Sequence, residues 1–511
     1  MWVSRTLPEI LERTYEAHGA APALLHDGRW LTFAETARLA RGIHALLVEH
    51  GAAEGDRVVV HLENGVTTRL LDQALLGFGL VRVAVSARLH VREVAAICLD
   101  AEAAVVCADP GQADLLRAAL HDAGARTVVV GLNADCLPSL DDGQTTALVR
   151  PRDDDVAMLM YSSGTTGAPK AAVVTQGAWV ARTRHSLACL PPVTEADTVV
   201  LAAPAAHFAG SVALDCFIQG ARTVIERRFD AGAVLDLVDR YDGTIVPLVP
   251  VLLARLVEAA AERPASGRNL RCLPYGGSSV STDVLVRASR RFPGVLTQFY
   301  GLAEALAPLS VLTPADHDES AAVGSDSSRL TSAGRFVEGV EHRVDDGVLA
   351  VRGSVVMPGY WRRPDLDAKV LSDGWFATGD LARVDDDGYL HLTGRSSDVI
   401  DSGGYNIQPR EVEQVIERVP GVADVAVAGV PDPQWGEAVH AFVVVDDDAL
   451  CDPETLATTL RDACAGAIAS YKKPRHVHVR NSLPRNHYGK VDRRALRDSV
   501  APEPPMKETV A

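Results

Sequence analysis

Long apolar runs are missing from this 511-residue chain: no stretch of about 18 uncharged apolar residues occurs, so no membrane-spanning helix is expected. The opening segment places Leu7, Ile10, Leu11 and Tyr15 on one face of a helical pattern and has no secretory apolar region. The expected location is cytoplasmic. Basic charge is in deficit, with 50 Lys and Arg against 67 Asp and Glu, a net charge of −17. That balance argues against nucleic-acid and anionic-membrane partners. Cysteine is scattered over positions 98, 107, 136, 189, 216, 272, 451 and 464, with no CxxC and no Cys/His metal spacing. These read as reduced core residues. Aromatics are only 5% of the chain, so Ala and Val supply much of its 47% hydrophobic content. A P-loop of the GxxxxGKS or GxxxxGKT form occurs nowhere. The nearest approach to a G-x-S-x-G elbow, Gly394-Arg395-Ser396-Ser397-Asp398, lacks the last glycine, which counts against a serine hydrolase.

What is present is helix–strand alternation. Thr32-Phe33-Ala34-Glu35 is a capping box that predicts a helix running toward Gly51. Residues 57–62 predict a buried strand. A helix near 66–79, a strand near 81–85, a helix near 91–100, a strand near 103–107, a helix near 111–123 and a strand near 127–130 follow. The alternation predicts parallel, helix-covered sheets. It resumes from Val156 to about residue 310, with a strand over 243–249 and a helix over 251–262. From about 335 to 394 the texture changes to short strands with Asp346-Gly347, Asp373-Gly374 and Asp387-Gly388 turns, a β-rich subdomain. The fold class is α/β: a large N-terminal domain of helix-covered sheets over 1–394, and a small α+β C-terminal domain over 395–511.

The most informative stretch is Val156–Lys170, where an apolar strand enters Ser162-Ser163-Gly164-Thr165-Thr166-Gly167-Ala168-Pro169-Lys170. Glycines let the backbone approach a ligand and turn successive N–H groups toward one point. Four hydroxyls add donors and Lys170 adds a point charge. A surface turn needs one or two such residues; this many in nine positions points to a polyphosphate cradle.

The loop resembles the phosphate-binding motif of the adenylate-forming superfamily, which includes acyl- and aryl-CoA synthetases, peptide-synthetase adenylation domains and firefly luciferase. Further segments resemble that superfamily's motifs in the same order, across residues 5–500. His207-Phe208-Ala209-Gly210 is similar to the segment at the mouth of the acyl pocket, and resembles CoA ligases more than amino-acid-activating domains. Tyr275-Gly276-Gly277-Ser278 resembles the glycine-rich wall beside adenine and acyl group. Tyr300-Gly301-Leu302-Ala303-Glu304 looks like the segment whose tyrosine stacks on adenine and whose glutamate binds Mg²⁺, with Thr165 as a second metal contact. Trp375–Asp380 is similar to the (W/Y)xxTGD motif, in which the Asp380 carboxylate would accept both ribose hydroxyls and Arg395 would add a second contact. Ser402–Glu411, with Gly403 and Gly404, resembles a loop that lines a pantetheine tunnel. Pro484–Lys490 matches the C-terminal lysine motif, in which Lys490 relieves charge on carboxylate and phosphate.

The resemblance implies MgATP-dependent conversion of a carboxylic acid to an acyl-adenylate with release of pyrophosphate, then transfer to CoA. Its cofactors are ATP, Mg²⁺ and CoA, and its partners are a small carboxylic acid and CoA or a phosphopantetheine carrier. A homodimer is left open. It also implies a mobile C-terminal lid hinged near 395–398. The implied catalytic residues are Lys490, Glu304 and His207, and the implied acyl-pocket residues are His207, Phe208, Gly210, Val212, Gly277, Leu302 and Ala303. The matching segment carries no carboxylate for an α-ammonium, which favours a fatty, aryl or polycyclic acid, although Asp215 lies just downstream. Two departures stand out. Ala303 replaces a threonine whose hydroxyl contacts the α-phosphate, worth about 1 kcal/mol. Ser397 takes the hinge position usually held by Asp or Lys, with Asp398 one residue on. Alternatives are an adenylation-only enzyme that hands its product to a separate acceptor, a luciferase-like oxygenase, and a non-catalytic nucleotide-binding module.

Overall fold

The computed structural model describes residues 6–137, 149–162, 169–324, 328–445, 453–486 and 490–500. Two compact units emerge. One contains Met1–Arg343, Ala350–Thr378 and Val384–Leu390; the other contains Val344–Leu349, Gly379–Arg383 and His391–Ala511.

In the first unit, six strands form one sheet in the order Val128–Gly131, Val105–Ala108, Arg57–His61, Val81–Ala84, Val156–Ser162, Lys170–Thr175. The first five run parallel and the last closes antiparallel on its neighbour. The run Val58-Val59-Val60 shows why. Val58 and Val60 pack on one face with Leu70 and Leu75, and Val59 packs on the other with Val83 and Val106. A strand covered by helices on both faces must be apolar throughout. Two further sheets are also mixed, with antiparallel strands at their edges, so the purely parallel expectation is corrected at the edges.

The capping box forms as expected: Thr32 Oγ1 accepts from Glu35 N at 3.1 Å and Glu35 accepts from Thr32 N at 2.8 Å, opening the helix Phe33–Glu49. The expected strand over 243–249 does not form. Ile245 and Leu248 make only isolated bridges, because Pro247 between them has no N–H to donate to a ladder. The helix expected over 111–123 begins as a short 3₁₀ turn, Pro110–Gln112, and becomes α-helical over Ala113–Asp122. Asp346-Gly347 and Asp373-Gly374 each have both residues at positive φ (50° and 82°, 50° and 79°), the backbone of tight hairpin turns. Cys136 is exposed and Cys189 half-buried, which corrects their reading as core; the other described cysteines are buried and none is paired.

The second unit is built on an antiparallel ribbon, Val422–Asp432 with Gly436–Val445, joined by Ile400–Ser402 and, in parallel, His476–Val479. Ile400, Ile407, Val412, Ile416, Val427, Val439 and Leu460 make its core. No helix among the described residues is long and apolar enough to cross a membrane.

Candidate active site

Ser163, Gly164, Thr165, Thr166 and Gly167 lie outside the described residues; Ser162 is described only as the last residue of its strand, paired in register with Lys170. The two strands that flank the loop therefore fix where Lys170 starts. Its ammonium donates to the Tyr360 hydroxyl at 2.9 Å and lies 3.5 Å from Glu304 Oε1. Tyr360 in turn donates to the same Oε1 at 2.9 Å, and the ammonium sits 4.4 Å from the Tyr360 ring centroid. Glu304 is only 9% exposed. Lys170 and Glu304, 134 positions apart, thus meet across a residue that sequence reasoning missed. Its signal was faint: two adjacent aromatics, Tyr360-Trp361, after a Pro-Gly turn in an aromatic-poor chain.

A single buried carboxylate beside a hydroxyl and an ammonium fits the protein's share of a Mg²⁺ site, since Mg²⁺ takes few protein ligands when phosphates supply the rest. No group of three or more His, Cys, Asp or Glu converges on a metal position among the described residues.

The strands Leu273–Gly276 and Leu296–Tyr300 are parallel neighbours and end together, with Gly276 opposite Phe299. The carboxyl ends of parallel strands are where open α/β sheets present ligands. Glycine is needed at Gly276 and Gly301 for close approach: a Cβ would meet the Phe299 carbonyl at 2.4 Å and the Ala307 backbone at 2.5 Å. Gly277 has φ +97° and open space around it, and Ser278 is exposed. Tyr300, the last residue of its strand, and Leu302 and Ala303 just beyond it are half-buried. Behind this wall, Tyr275 and His317 are bonded at 2.7 Å. His317 Nδ1 faces the Thr313 carbonyl at 2.7 Å and donates to it, while the Tyr275 hydroxyl donates to Gln298 Oε1 at 2.9 Å. Burial lowers the His317 pKa to about 4.

His207 caps the helix Phe208–Phe217, which is buried on nearly all sides. Gly210 is dictated by packing, because a Cβ there would come 1.9 Å from the Ala205 carbonyl. The Phe208 ring meets Phe299 edge-on at 6.0 Å, whereas Val212 is fully buried in the core beneath. Asn64, 7% exposed, grips the preceding loop, donating to the Ala203 carbonyl at 2.9 Å and accepting from Ala205 N at 2.8 Å. Arg82 donates to the Ala205 and Ala206 carbonyls at 3.4 Å and is itself held by Asp72 at 2.5 Å. Asp215 is fully buried and does not serve as a spare carboxylate for a ligand. Arg182 lies 2.5 Å from it and Thr183 donates to it at 2.9 Å. Burial raises its pKa, against the pull of Arg182.

In the C-terminal unit, Asp380, 5% exposed, lies 2.5 Å from Arg395, so the two expected ribose contacts are paired with each other. Gly403 and Gly404, at φ +63° and +81°, form the two-residue turn between Ile400–Ser402 and Tyr405–Ile407. Asp398 accepts from Ser397 Oγ at 3.1 Å and lies 3.5 Å from Arg493. Lys490 is exposed, its N–H donating to Asn486 Oδ1 at 3.0 Å and its carbonyl accepting from Asn486 N at 2.8 Å.

The profile of the AMP-binding enzyme family matches residues 11–361, and that of the AMP-binding enzyme C-terminal domain matches 411–490. The chain belongs to the AMP-binding enzyme family. Within this adenylate-forming superfamily it falls in the CoA-synthetase branch, as an AMP-forming acid–thiol ligase. This AMP-binding enzyme is 36% identical to a feruloyl-CoA synthase from an Amycolatopsis species, over 92% of its own length and 94% of the relative's. It is 31% identical to a 2-succinylbenzoate–CoA ligase of Bacillus velezensis over 93% and 94% of the two chains. Among solved structures, the amide bond synthetase of Marinactinospora thermotolerans superposes with a TM-score of 0.84 at 29% identity, over 97% of this chain and all of that one.

Proposed function

We propose that this enzyme activates an aryl carboxylic acid as its acyl-adenylate and transfers the acyl group to CoA. The observation that carries the substrate reading is the state of Asp215. Its charge is consumed by Arg182 and Thr183, so the pocket segment 207–215 offers no carboxylate to an α-ammonium. An unpaired ammonium buried there would cost several kcal/mol. The Phe208 edge-to-face contact with Phe299, beside the side-chain-free Gly276, supports a flat aromatic acyl group. The feruloyl and succinylbenzoyl names of two relatives agree with this choice.

In the first half-reaction the acid's carboxylate oxygen bonds to the α-phosphorus of ATP and pyrophosphate leaves. Lys490 offsets charge shared by carboxylate and phosphate, and Lys170 holds phosphate oxygens. Glu304 would hold Mg²⁺, which when bound neutralises phosphate charge. Tyr300 and the Gly276-Gly277 wall receive adenine, and Asp380 with Arg395 receives the ribose. In the second half-reaction the CoA sulfur attacks the acyl carbon and AMP departs.

A second reading, adenylation with hand-over to an acceptor other than CoA, is favoured by the neutral Ser397 at the hinge and by the likeness to an amide bond synthetase. Acid-dependent pyrophosphate release across aryl, fatty and amino acids, with and without CoA, tests both readings. Release with free amino acids and none with aryl acids refutes the substrate. Adenylate that accumulates in the presence of CoA without thioester selects the second reading.

A further inference from the structure

Residues 355–361 are stitched to both halves of the Lys170–Glu304 site. At one end Leu306 N donates to the Val355 carbonyl at 3.0 Å and Met357 N to the Glu304 carbonyl at 2.9 Å. At the other, Val173 N donates to the Gly359 carbonyl at 3.0 Å and Trp361 N to the Ala171 carbonyl at 2.8 Å. Asp367 fixes the turn by accepting from Tyr360 N at 2.7 Å, and a Cβ on Gly359 would come 2.7 Å from that carboxylate. The backbone thus leaves Tyr360 little freedom, and its 6% exposed side chain spans the gap. Its hydroxyl accepts a hydrogen bond from a cation and donates one to an anion, a use that packing alone does not require.

We propose that Tyr360 is a positioning residue for the cation that accompanies the nucleotide. Its hydroxyl pins Glu304 Oε1 and so presents Oε2 outward, while its oxygen and ring hold the Lys170 ammonium until phosphate draws it away. This rests on the assignment of Lys170 to phosphate and Glu304 to Mg²⁺ made above. Before nucleotide arrives, Lys170 at 3.5 Å balances the Glu304 carboxylate. Once Lys170 turns to the phosphates, Glu304 would lose that partner and its orientation. The Tyr360 hydrogen bond stays, so the carboxylate remains aimed. A hydrogen bond to a charged group inside a protein is among the stronger ones.

Tyr360→Phe deletes the hydroxyl and keeps the ring under Lys170. ATP binding to the full chain is measured by calorimetry over a Mg²⁺ titration and in EDTA, beside a thermal melt. The Mg²⁺ midpoint is expected to rise about tenfold, the loss of one hydrogen bond to a charged group. Affinity for ATP in EDTA should stay within about twofold, which a general structural defect would not leave intact. A midpoint unmoved in Tyr360→Phe overturns the proposal. Glu304→Gln separates it from the reading beneath: if Glu304→Gln shifts the midpoint and Tyr360→Phe does not, the role of Tyr360 alone falls. If neither shifts it, the cation assignment of Glu304 falls too. Should Tyr360→Phe not fold, Asp367→Ala loosens the turn from outside the site. It is expected to move the midpoint the same way by about threefold, and no movement there overturns the proposal as well.

Discussion

Asp215 and Lys490 are the two extremes of this molecule. Asp215 has no exposed surface and is bound by an arginine and a threonine. Lys490 sits exposed, its backbone making two hydrogen bonds with Asn486. The pattern is general. In the N-terminal unit, Glu304, Asp72 and Asn64 are buried and each is held by a partner on another element. In the C-terminal unit, Ser397, Asp398, Gly403 and Gly404 lie on short turns. Buried polar groups must be satisfied as a set, so the N-terminal site is preassembled by folding. An exposed lysine contributes little to stability and can be spent on chemistry alone.

Breaking the buried side should have the largest effect. Arg182→Met leaves Asp215 as an uncompensated buried carboxylate and is expected to destabilise the N-terminal unit by about 3–5 kcal/mol. The double variant Arg182→Met/Asp215→Leu should recover most of it, read by urea unfolding. A single variant as stable as wild type would show that the pair is wetter than its burial implies. On the exposed side, Lys490→Ala is expected to slow adenylate formation by about 10²–10³ with the melting temperature unchanged. Pyrophosphate exchange within a few-fold of wild type would remove Lys490 from the first half-reaction. Consumption of preformed acyl-adenylate should survive better in the same variant.

The same contrast explains what could be read from the sequence. The strand Val156–Ser162, the helix Phe33–Glu49 and the tight turns were legible because apolar runs, capping boxes and Asp-Gly dipeptides act over a few residues. The strand expected over 243–249 was not, since its apolar pattern hid the missing donor of Pro247. Glu304 and Lys170 could be named from their motifs, but Tyr360 between them could not, because the contact depends on register between segments far apart in the chain. Asn64, Arg82 and Arg182 were missed for the same reason. Each lies on an element whose own pattern says only helix, strand or loop, and each gains its role from a loop far along the chain.

A smaller effect sharpens the comparison through pH. In the C-terminal unit His440, His476 and His478 lie together on adjacent strands, with His440 Nδ1 2.9 Å from His478 Nε2 and the His440 and His476 rings 4.4 Å apart. Burial first, then the neighbouring histidines, lowers the His440 pKa to about 4, with Asp432 pulling the other way. His478 is lowered too, by burial, Arg480 and His476. A base with a depressed folded pKa is neutral in both states above about pH 6.5. Below that the unfolded chain takes up the proton first, so stability is lost as pH falls from about 6.5 toward 4. The loss for His440 is at most about 3 kcal/mol. His440→Gln should flatten that slope in melts of the C-terminal unit, and an equally steep slope in the variant would place the acid lability elsewhere.

The smallest expected effect lies at Ser397 and Asp398, where the sequence leads one to expect a hinge, and it bears on the acceptor. Asp398 accepts from Ser397 Oγ and faces Arg493, whose other nitrogen donates to Glu413 at 2.6 Å. Glu413 is 3% exposed and also accepts from Val427 N, so Arg493 is anchored whether or not Asp398 is present. Asp398 is the half-buried, replaceable partner, and a pair this open to water is worth about 0–1 kcal/mol. Asp398→Ala is therefore expected to leave folding and adenylate formation unchanged. If Asp398 stands in for the charged hinge residue that Ser397 is not, the variant should shift the balance between orientations of the C-terminal unit and change the CoA-dependent step by about two- to fivefold. Single-turnover measurements separate the steps: acyl-AMP formation first, then its consumption on adding CoA. Equal slowing of both would point to general loss of structure. No change in either would mean that the backbone around Ser397 turns without help from a charge, and that the hinge carries no information about the acceptor.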